Sequence, residues 1–132
     1  MDLGDRRIGL AVSDPTGTIA TPAGHITRRP GKRVPVTRLL ERAVELEAQG
    51  FVIGLALDGE GAETPRSREA RELGATLGNR SGLSVQFVDE RFTTAAAERA
   101  VKEMKGSTRG RRGDVDALAA TLILRAVLDQ KR

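Results

Sequence analysis

One segment constrains the fold of this chain more than any other: the apolar run Phe51-Val52-Ile53-Gly54-Leu55-Ala56-Leu57. It has the length of a strand and no polar alternation, which is typical of a strand covered on both faces. Apolar side chains recur at helical spacing before it, over residues 35–49, and after it, from Thr64 to about Leu77. This order predicts an α/β domain with helices on both faces of a sheet.

The first part of the chain predicts a meander of three antiparallel strands. Residues 6–13 have the pattern of a strand, and the turn residues Asp14-Pro15-Thr16-Gly17 separate them from a second strand at 18–27. Pro22 and Gly24 weaken that second strand, so we expect it at an edge of the sheet.

The second part predicts helices that alternate with two parallel strands, which completes a mixed five-stranded sheet. Gly50 is expected to cap the helix over 35–49, and Thr64 with Pro65 to start the next helix. The strand at 51–57 is expected to pair with a short buried strand at 84–88. The remaining predicted elements are a helix from Thr93 or Thr94 to about Met104 and a last helix over 114–130.

Composition excludes several classes of protein. At 132 residues the chain is expected to form one domain, residues 1–132. It contains no run of about 18 apolar residues and no signal-peptide pattern, so we expect no contact with a membrane. The absence of Cys excludes disulfides and thiolate metal sites, and it fits a cytoplasmic location.

Positive charge is concentrated in two segments rich in Gly, Pro or Ser, residues 28–33 and 102–112. The net charge is only +4, so the placement of the charges matters more than their number. Together the two segments suggest flexible loops that contact a phosphate backbone. With no Trp or Tyr and only three Phe, base stacking is not expected to dominate. The residues expected to contact nucleic acid are Arg6, Arg7, Lys105, Arg109, Arg111 and Arg112.

An acid lies on the apolar face of the last predicted helix. Asp116 shares that face with Ile123, and an unpaired carboxylate there would be costly. An interaction with the first-turn amides of the helix is the alternative explanation. Asp114 falls on the same stripe as Thr121 and Arg125, so we expect it to be a solvated cap.

Further acids stand where strands begin or end. Asp89 and Glu90 follow the strand at 84–88, at the carboxyl edge where α/β sheets place ligands. Side chains alternate, so only one of the two can face a site, and a salt bridge to Arg91 is the alternative role. Asp2 precedes a Gly-containing turn. Converging carboxylates in a chain without Cys favour a hard cation such as Mg²⁺ or Mn²⁺, the usual equipment for two-metal phosphodiester cleavage.

Four segments, taken together, resemble one family. They are Asp2-Leu3-Gly4 with Arg7 to Asp14, Val52 to Leu55 with Asp58-Gly59, Val88 to Thr94, and Val115 to Ala120 with Ile123-Leu124. They occur in the order found in the YqgF family, also called RuvX, of RNase H-like proteins, and the likeness covers nearly the whole chain. The block Asp-Glu-Arg-Phe-Thr-Thr is its most specific part.

The resemblance implies a function and a site. It implies an RNase H-like nuclease that binds two Mg²⁺ or Mn²⁺ ions and acts in the maturation of pre-16S rRNA. It places the catalytic and metal-binding triad on Asp2, Glu90 and Asp116, and so chooses Glu90 over Asp89. The partners would be structured RNA or DNA and ribosomal precursor particles, and the protein would be a monomer or a weak homodimer. A nuclease of Holliday junctions and a catalytically weak nucleic-acid-binding protein of the same fold are the alternatives.

The chain departs from the family pattern at two places. Ala56 replaces a proline, which should change the rigidity of the loop more than the chemistry. Met1 directly precedes Asp2, whereas the family has several strand residues there. The first strand therefore looks truncated, and we expect about four to seven apolar residues upstream of Met1.

Overall fold

The computed structural model describes residues 1–29, 31, 33–93 and 112–130, without the side chains of residues 112–116. The helix predicted from Thr93 or Thr94 to about Met104 lies, beyond Thr93, outside these residues. No helix within the described part is long and apolar enough to cross a membrane. In chain order the elements are β1 (Asp2–Leu3), β2 (Arg7–Ser13), β3 (Ala20–Thr27), α1 (Val36–Glu45), β4 (Gly50–Leu55), α2 (Pro65–Ser81), β5 (Ser84–Asp89), a 3₁₀ turn (Glu90–Phe92) and α3 (Arg112–Gln130).

The described strands form an antiparallel sheet, in the order β1-β2-β3, and a parallel pair, β4-β5. The predicted antiparallel meander and the predicted parallel pairing are both confirmed. Two backbone hydrogen bonds join the sheets at Met1. Its amino group donates to the Val52 carbonyl oxygen at 2.6 Å, and the Gly54 N–H donates to the Met1 carbonyl oxygen at 3.1 Å. The predicted five strands are therefore present as two sheets that adjoin at this residue.

Helices pack on both faces of β4, as its apolar run predicts. Ile53 is fully buried in a core shared with Leu39 of α1 and Leu77 of α2. Val52 points the other way and packs against Ile123 of α3. Because successive side chains of a strand alternate between its faces, a strand of this kind needs apolar residues at nearly every position.

A cleft of about 1110 Å³ lies between β2 and β4 on the side of Met1 away from the site described below. Its apolar lining includes Leu10, Val12 and Phe51. The apolar residues predicted upstream of Met1 stay a prediction.

β5 is less buried than its sequence suggests. Ser84 and Gln86 are exposed, whereas Val85 and Phe87 pack into the core beside α2. Among the described strands only β4 pairs with β5, so β5 lies at an edge of the described sheets.

α1 ends earlier than predicted, and Gly50 is not its cap. The helix ends at Glu45, and Glu47 takes the left-handed conformation that usually belongs to glycine, with φ 54°. The Ala48 N–H then donates to the Ala43 carbonyl oxygen at 2.9 Å, the bond of a Schellman motif. Gly50 instead opens β4.

α2 starts as predicted and ends later. Thr64 and Ser67 form a reciprocal capping box at its N-terminus. The helix continues past Leu77 to Ser81 and is capped by Gly82 at φ 75°. The apolar pattern stops four residues early because the last turn of the helix is polar, while its backbone hydrogen bonds continue.

α3 buries a broader face than predicted. The sequence pattern predicts Thr121 on the polar face of the helix, together with Arg125. In the structure Thr121 is only 3% exposed, and its hydroxyl donates to the Ala117 carbonyl oxygen at 2.6 Å. Arg125 and Asp129 are exposed and mark the solvent face. Thr121 therefore does not mark the solvent face of α3. The solvated position of Asp114 stays a prediction, since its side chain lies outside the described residues.

Replacing Glu47 with glycine should stabilise the protein. A non-glycine residue in the left-handed region carries a cost of about 1–2 kcal/mol, part of which is offset by the greater freedom of glycine in the unfolded chain. We expect the free energy of unfolding in urea to rise by about 0.5–1 kcal/mol for Glu47→Gly. Glu41→Gly, at an exposed position within α1, should lower it by about 1 kcal/mol. Equal losses in both variants would contradict the strain at Glu47.

Candidate active site

Two of the predicted acids are buried where the two sheets adjoin. Asp2 is 3% exposed in β1, opposite Gly9 of β2. Glu90 is 6% exposed and opens the 3₁₀ turn directly after β5. Asp and Glu are almost never fully buried unless they are paired or bind a metal, because removing a charge from water is costly. Two buried carboxylates in a domain of this size therefore indicate a functional site.

Gly54 lets the two acids come together. A Cβ atom at this position would lie 2.8 Å from Glu90 Oε1 and 3.1 Å from Glu90 Cγ, so the Glu90 side chain lies directly over the backbone of β4. The N–H of the same glycine holds Met1, the neighbour of Asp2. Burial lowers the pKa of the Met1 amino group to about 6, while Asp2 and Glu90 both act to raise it. Glu90 thus lies over Gly54, whose N–H holds the residue before Asp2.

The structure separates the roles of Asp89 and Glu90, which the sequence pattern left open. Asp89 accepts hydrogen bonds from the Arg91 guanidinium, at 2.7 Å from Nη2 and 3.1 Å from Nε. This interaction holds the pKa of Asp89 below its usual value. Asp89 therefore forms the salt bridge, and Glu90 faces Gly54.

Arg91 also fixes the loop that follows β4, a role that sequence reasoning missed. Its Nη1 donates to the Gly59 carbonyl oxygen at 3.2 Å. Gly61, at φ 86°, passes so close that a Cβ there would lie 2.8 Å from Arg91 Nη2. The loop is closed by Asp58, whose pKa is lowered by hydrogen bonds from backbone N–H groups of the loop, that of Ala62 first. Arg91 lies 32 positions from Gly59, and no local pattern indicates a contact at that separation.

The third predicted acid lies in α3, with its side chain outside the described residues. The backbone of Asp116 begins the helical face that continues through Ala119 and Ile123, both buried. Ile123 Cδ1 would lie 2.7 Å from a Cβ atom at Gly54, beside Glu90. Since positions seven apart share a helix face, Asp116 starts the face that contacts this part of β4.

The predicted basic residues divide into three groups. Arg6 is exposed and Arg7 half-buried at the turn between β1 and β2. Arg28, in the first basic segment, is buried and ion-paired with Glu69, so the predicted phosphate contact of that segment is wrong at this residue. The remaining predicted contacts, Lys105, Arg109, Arg111 and the Arg112 side chain, lie outside the described residues.

The comparison with known families assigns the chain. A family model described as "RuvX: Holliday junction resolvase" matches residues 1–130. The chain belongs to the RuvX family. This membership confirms the resemblance seen in the sequence.

Curated relatives agree over the full length of the chain. A protein of Ruegeria sp. (strain TM1040) is 38% identical over 132 residues, which cover 100% of this chain and 83% of the relative. One of Rhodobacter capsulatus is 39% identical over 130 residues, covering 98% and 81%. One of Koribacter versatilis is 39% identical over 131 residues, covering 99% and 85%. Each of the three is named "Putative pre-16S rRNA nuclease".

The donor chemistry of the site fits a hard divalent cation. Asp2 and Glu90 offer buried carboxylate oxygens, the ligands that Mg²⁺ and Mn²⁺ prefer. Within the described residues no three His, Cys, Asp or Glu side chains form a metal-binding group. The side chain of Asp116 lies outside these residues, so its contribution to a metal site stays a prediction.

Adding a methyl group at Gly54 should disrupt the site. The Cβ of Gly54→Ala would press on Glu90 Oε1 and on Ile123 Cδ1, so we expect the free energy of unfolding in urea to fall by about 1–3 kcal/mol. The matched control is Gly59→Ala, where a Cβ meets no atom within 4 Å. Its effect should stay within about 0.5 kcal/mol. Similar stability of the two variants would show that Glu90 does not lie over Gly54.

Proposed function

We propose that this protein is a divalent-metal-dependent nuclease that hydrolyses phosphodiester bonds of structured RNA in the 5′-end maturation of pre-16S rRNA. The observation that carries the proposal is the burial of both Asp2 and Glu90 where the two sheets adjoin, with Glu90 over Gly54, in a chain whose family match spans residues 1–130. The names of the relatives supply the substrate.

The proposed chemistry assigns one role to the three acids. Asp2, Glu90 and Asp116 would hold two Mg²⁺ or Mn²⁺ ions. Such ions, when bound, lower the pKa of water and stabilise charge on the leaving oxygen. The protein would supply fixed ligands, since Asp2 follows Met1, which hydrogen-bonds to β4, and Glu90 follows β5, which pairs with β4. Burial keeps bulk water from screening these charges, which strengthens electrostatic stabilisation.

Other parts of the proposal follow from the family and the composition. The two hydrogen bonds of Met1 support one continuous RNase H-like sheet in the order β3-β2-β1-β4-β5. Residues 1–132 would form a single cytoplasmic domain, monomeric or weakly dimeric, that meets its RNA in ribosomal precursor particles. Arg6, Arg7 and the segment from Lys105 to Arg112 would contact the phosphate backbone.

A second candidate substrate is the four-way DNA junction. The description of the matching family, a Holliday junction resolvase, favours it. The same acids and ions would serve both substrates, because two-metal hydrolysis acts on the phosphodiester and not on the base.

Removing single acids should abolish cleavage without unfolding the protein. Asp2→Asn, Glu90→Gln and Asp116→Asn should each lower the cleavage rate by at least about 10²-fold, because each keeps the shape of a proposed ligand but removes its charge. The measurement is a cleavage assay with Mg²⁺ or Mn²⁺ on an RNA containing the 5′ flank of 16S rRNA and on a four-way DNA junction. Chelation of the metal should stop both reactions.

The control is Asp129→Asn, an exposed acid on α3 that should leave the rate unchanged. Thermal unfolding of each variant shows whether the fold survives. Binding of either substrate without metal-dependent cleavage by the unmodified protein would favour the catalytically weak alternative. Cleavage that persists in the three acid variants would contradict the proposed site.

Charge reversal at the basic residues should weaken binding for many sequences alike. Arg6→Glu with Arg7→Glu, and separately Arg109→Glu with Arg111→Glu and Arg112→Glu, should flatten the salt dependence by roughly one log-log unit for each lost phosphate contact. Arg80→Glu, at an exposed position near the end of α2, is the control. An unchanged salt slope in the first two variants would show that these residues are merely solvated.

A further inference from the structure

A cluster of charged residues lies outside the site described above, beneath the turn between β1 and β2. Arg28 directly follows β3 and has a side chain that is only 6% exposed. Its guanidinium binds both carboxylate oxygens of Glu69 in α2, with Nη1 at 3.0 Å from Oε1 and Nη2 at 2.8 Å from Oε2. Arg66 Nη1 donates to the same Oε1 at 2.8 Å. The cluster formed by Arg28, Glu69 and Arg66 thus joins β3 to α2.

Both arginines of the cluster also bind one backbone carbonyl. The Gly4 carbonyl oxygen accepts hydrogen bonds from Arg28 Nη1 at 3.2 Å and from Arg66 Nη1 at 3.3 Å. Arg66 Nη2 forms an ion pair with Asp5 in the same turn. The Arg28 N–H donates to the Arg6 carbonyl oxygen at 2.8 Å. Three consecutive residues of the turn are therefore held by this cluster, starting two residues after Asp2.

Stability alone does not explain the cluster. A buried ion pair is often no more stabilising than apolar residues of the same volume, because both charges lose their hydration. Arg28 bears a further cost, since its buried Nε has no hydrogen-bond partner among the described residues. Arg71 of the same helix and Glu63, which precedes the helix, form a salt bridge without such burial. What distinguishes the Arg28 cluster is its contact with the Gly4 carbonyl.

The position of the Asp2 carboxylate depends on the backbone on both sides of it. Before Asp2, Met1 makes the hydrogen bonds to β4, and Asp2 itself lies opposite Gly9 of β2. After Asp2, the Gly4 carbonyl oxygen accepts hydrogen bonds from the two arginines. The cluster therefore holds the backbone two residues after Asp2, on the side away from Met1.

We propose that Arg28, Glu69 and Arg66 are positioning residues, which fix the Gly4 carbonyl and thereby hold Asp2 in the geometry that a divalent cation requires. The inference rests on the proposed function in one respect, that Asp2 is a metal ligand. In this role none of the three residues would contact the substrate or the metal. Their effect should therefore appear as weaker metal binding and a looser β1–β2 turn, with RNA binding unchanged.

The experiment compares Arg28→Lys and Glu69→Gln with Glu63→Gln, the matched change in the more exposed salt bridge between Arg71 of α2 and Glu63, just before the helix. Arg28→Lys keeps the charge but loses the bidentate pair, and Glu69→Gln keeps the shape but loses the charge. Amide hydrogen exchange of the metal-free protein reports on the turn, and Mn²⁺ binding by calorimetry reports on the site. Cleavage at saturating and limiting Mg²⁺ separates kcat from the metal requirement.

We expect both cluster variants to exchange the amides of residues 2–9 at least about tenfold faster, with exchange in α2 and β4 unchanged, and to bind Mn²⁺ about 10–100-fold more weakly. KM for the RNA should stay within about twofold, and excess Mg²⁺ should restore much of kcat. Glu63→Gln should match the unmodified protein in every measurement.

The inference is overturned if the cluster variants match Glu63→Gln, or if exchange rises uniformly over the whole chain while Mn²⁺ affinity is retained. A protein that neither binds Mn²⁺ nor cleaves RNA before any substitution would refute the proposed function instead. In that case the exchange data alone still decide whether the cluster holds the turn.

Discussion

The geometry of the site depends on two backbone hydrogen bonds made by Met1. They connect β1, which carries Asp2, to β4, above which Glu90 lies. Apart from them, the described strand pairings join β1 only to β2 and leave the parallel pair as a separate sheet. A typical hydrogen bond contributes only about 0.5–1.5 kcal/mol to stability. The proposed role of the Arg28 cluster is to add contacts to the turn that follows Asp2.

The burial of Asp2 and Glu90 works against the stability of the fold. Each carboxylate loses hydration, and the two share one neighbourhood beside Met1. Gly54 adds to the cost, since a glycine within a strand weakens it. Natural proteins break such local rules mainly at functional sites. The three departures occur at one place in the molecule, which is the reason to read that place as an active site rather than as an accident of packing.

The parts of the fold that sequence could predict are those set by local patterns. The continuous apolar run predicted β4 and its two covered faces, and the Thr64-Pro65 signal predicted the start of α2. The end of α1 could not be predicted, because Glu47 takes the left-handed conformation that closes the helix. Residue type alone favours a glycine for this conformation, and so pointed to Gly50. The predicted solvent exposure of Thr121 is wrong because its hydroxyl donates a hydrogen bond to the Ala117 carbonyl oxygen. A polar residue that is paired in this way can face the core.

For the candidate site, the acids could be predicted from sequence patterns, whereas the contacts around them could not. Glu90 could be told from Asp89 only by resemblance, and the structure gives the physical reason, since Asp89 is bound by Arg91. Arg28 looked like one of several basic loop residues. Its partner Glu69 is 41 positions away, and no local pattern reveals a contact at that separation.

Ion pairing also decides which charges remain for nucleic acid. Four arginines are each paired with an acid within the described residues: Arg28, Arg66, Arg71 and Arg91. The net charge of +4 therefore does not show which parts of the surface attract phosphate. The buried acids of the site repel phosphate in addition. Under the proposed function, divalent cations would reverse the sign of the charge at the place where the scissile phosphate must lie. The metal would then be needed for productive binding of the substrate as well as for its hydrolysis.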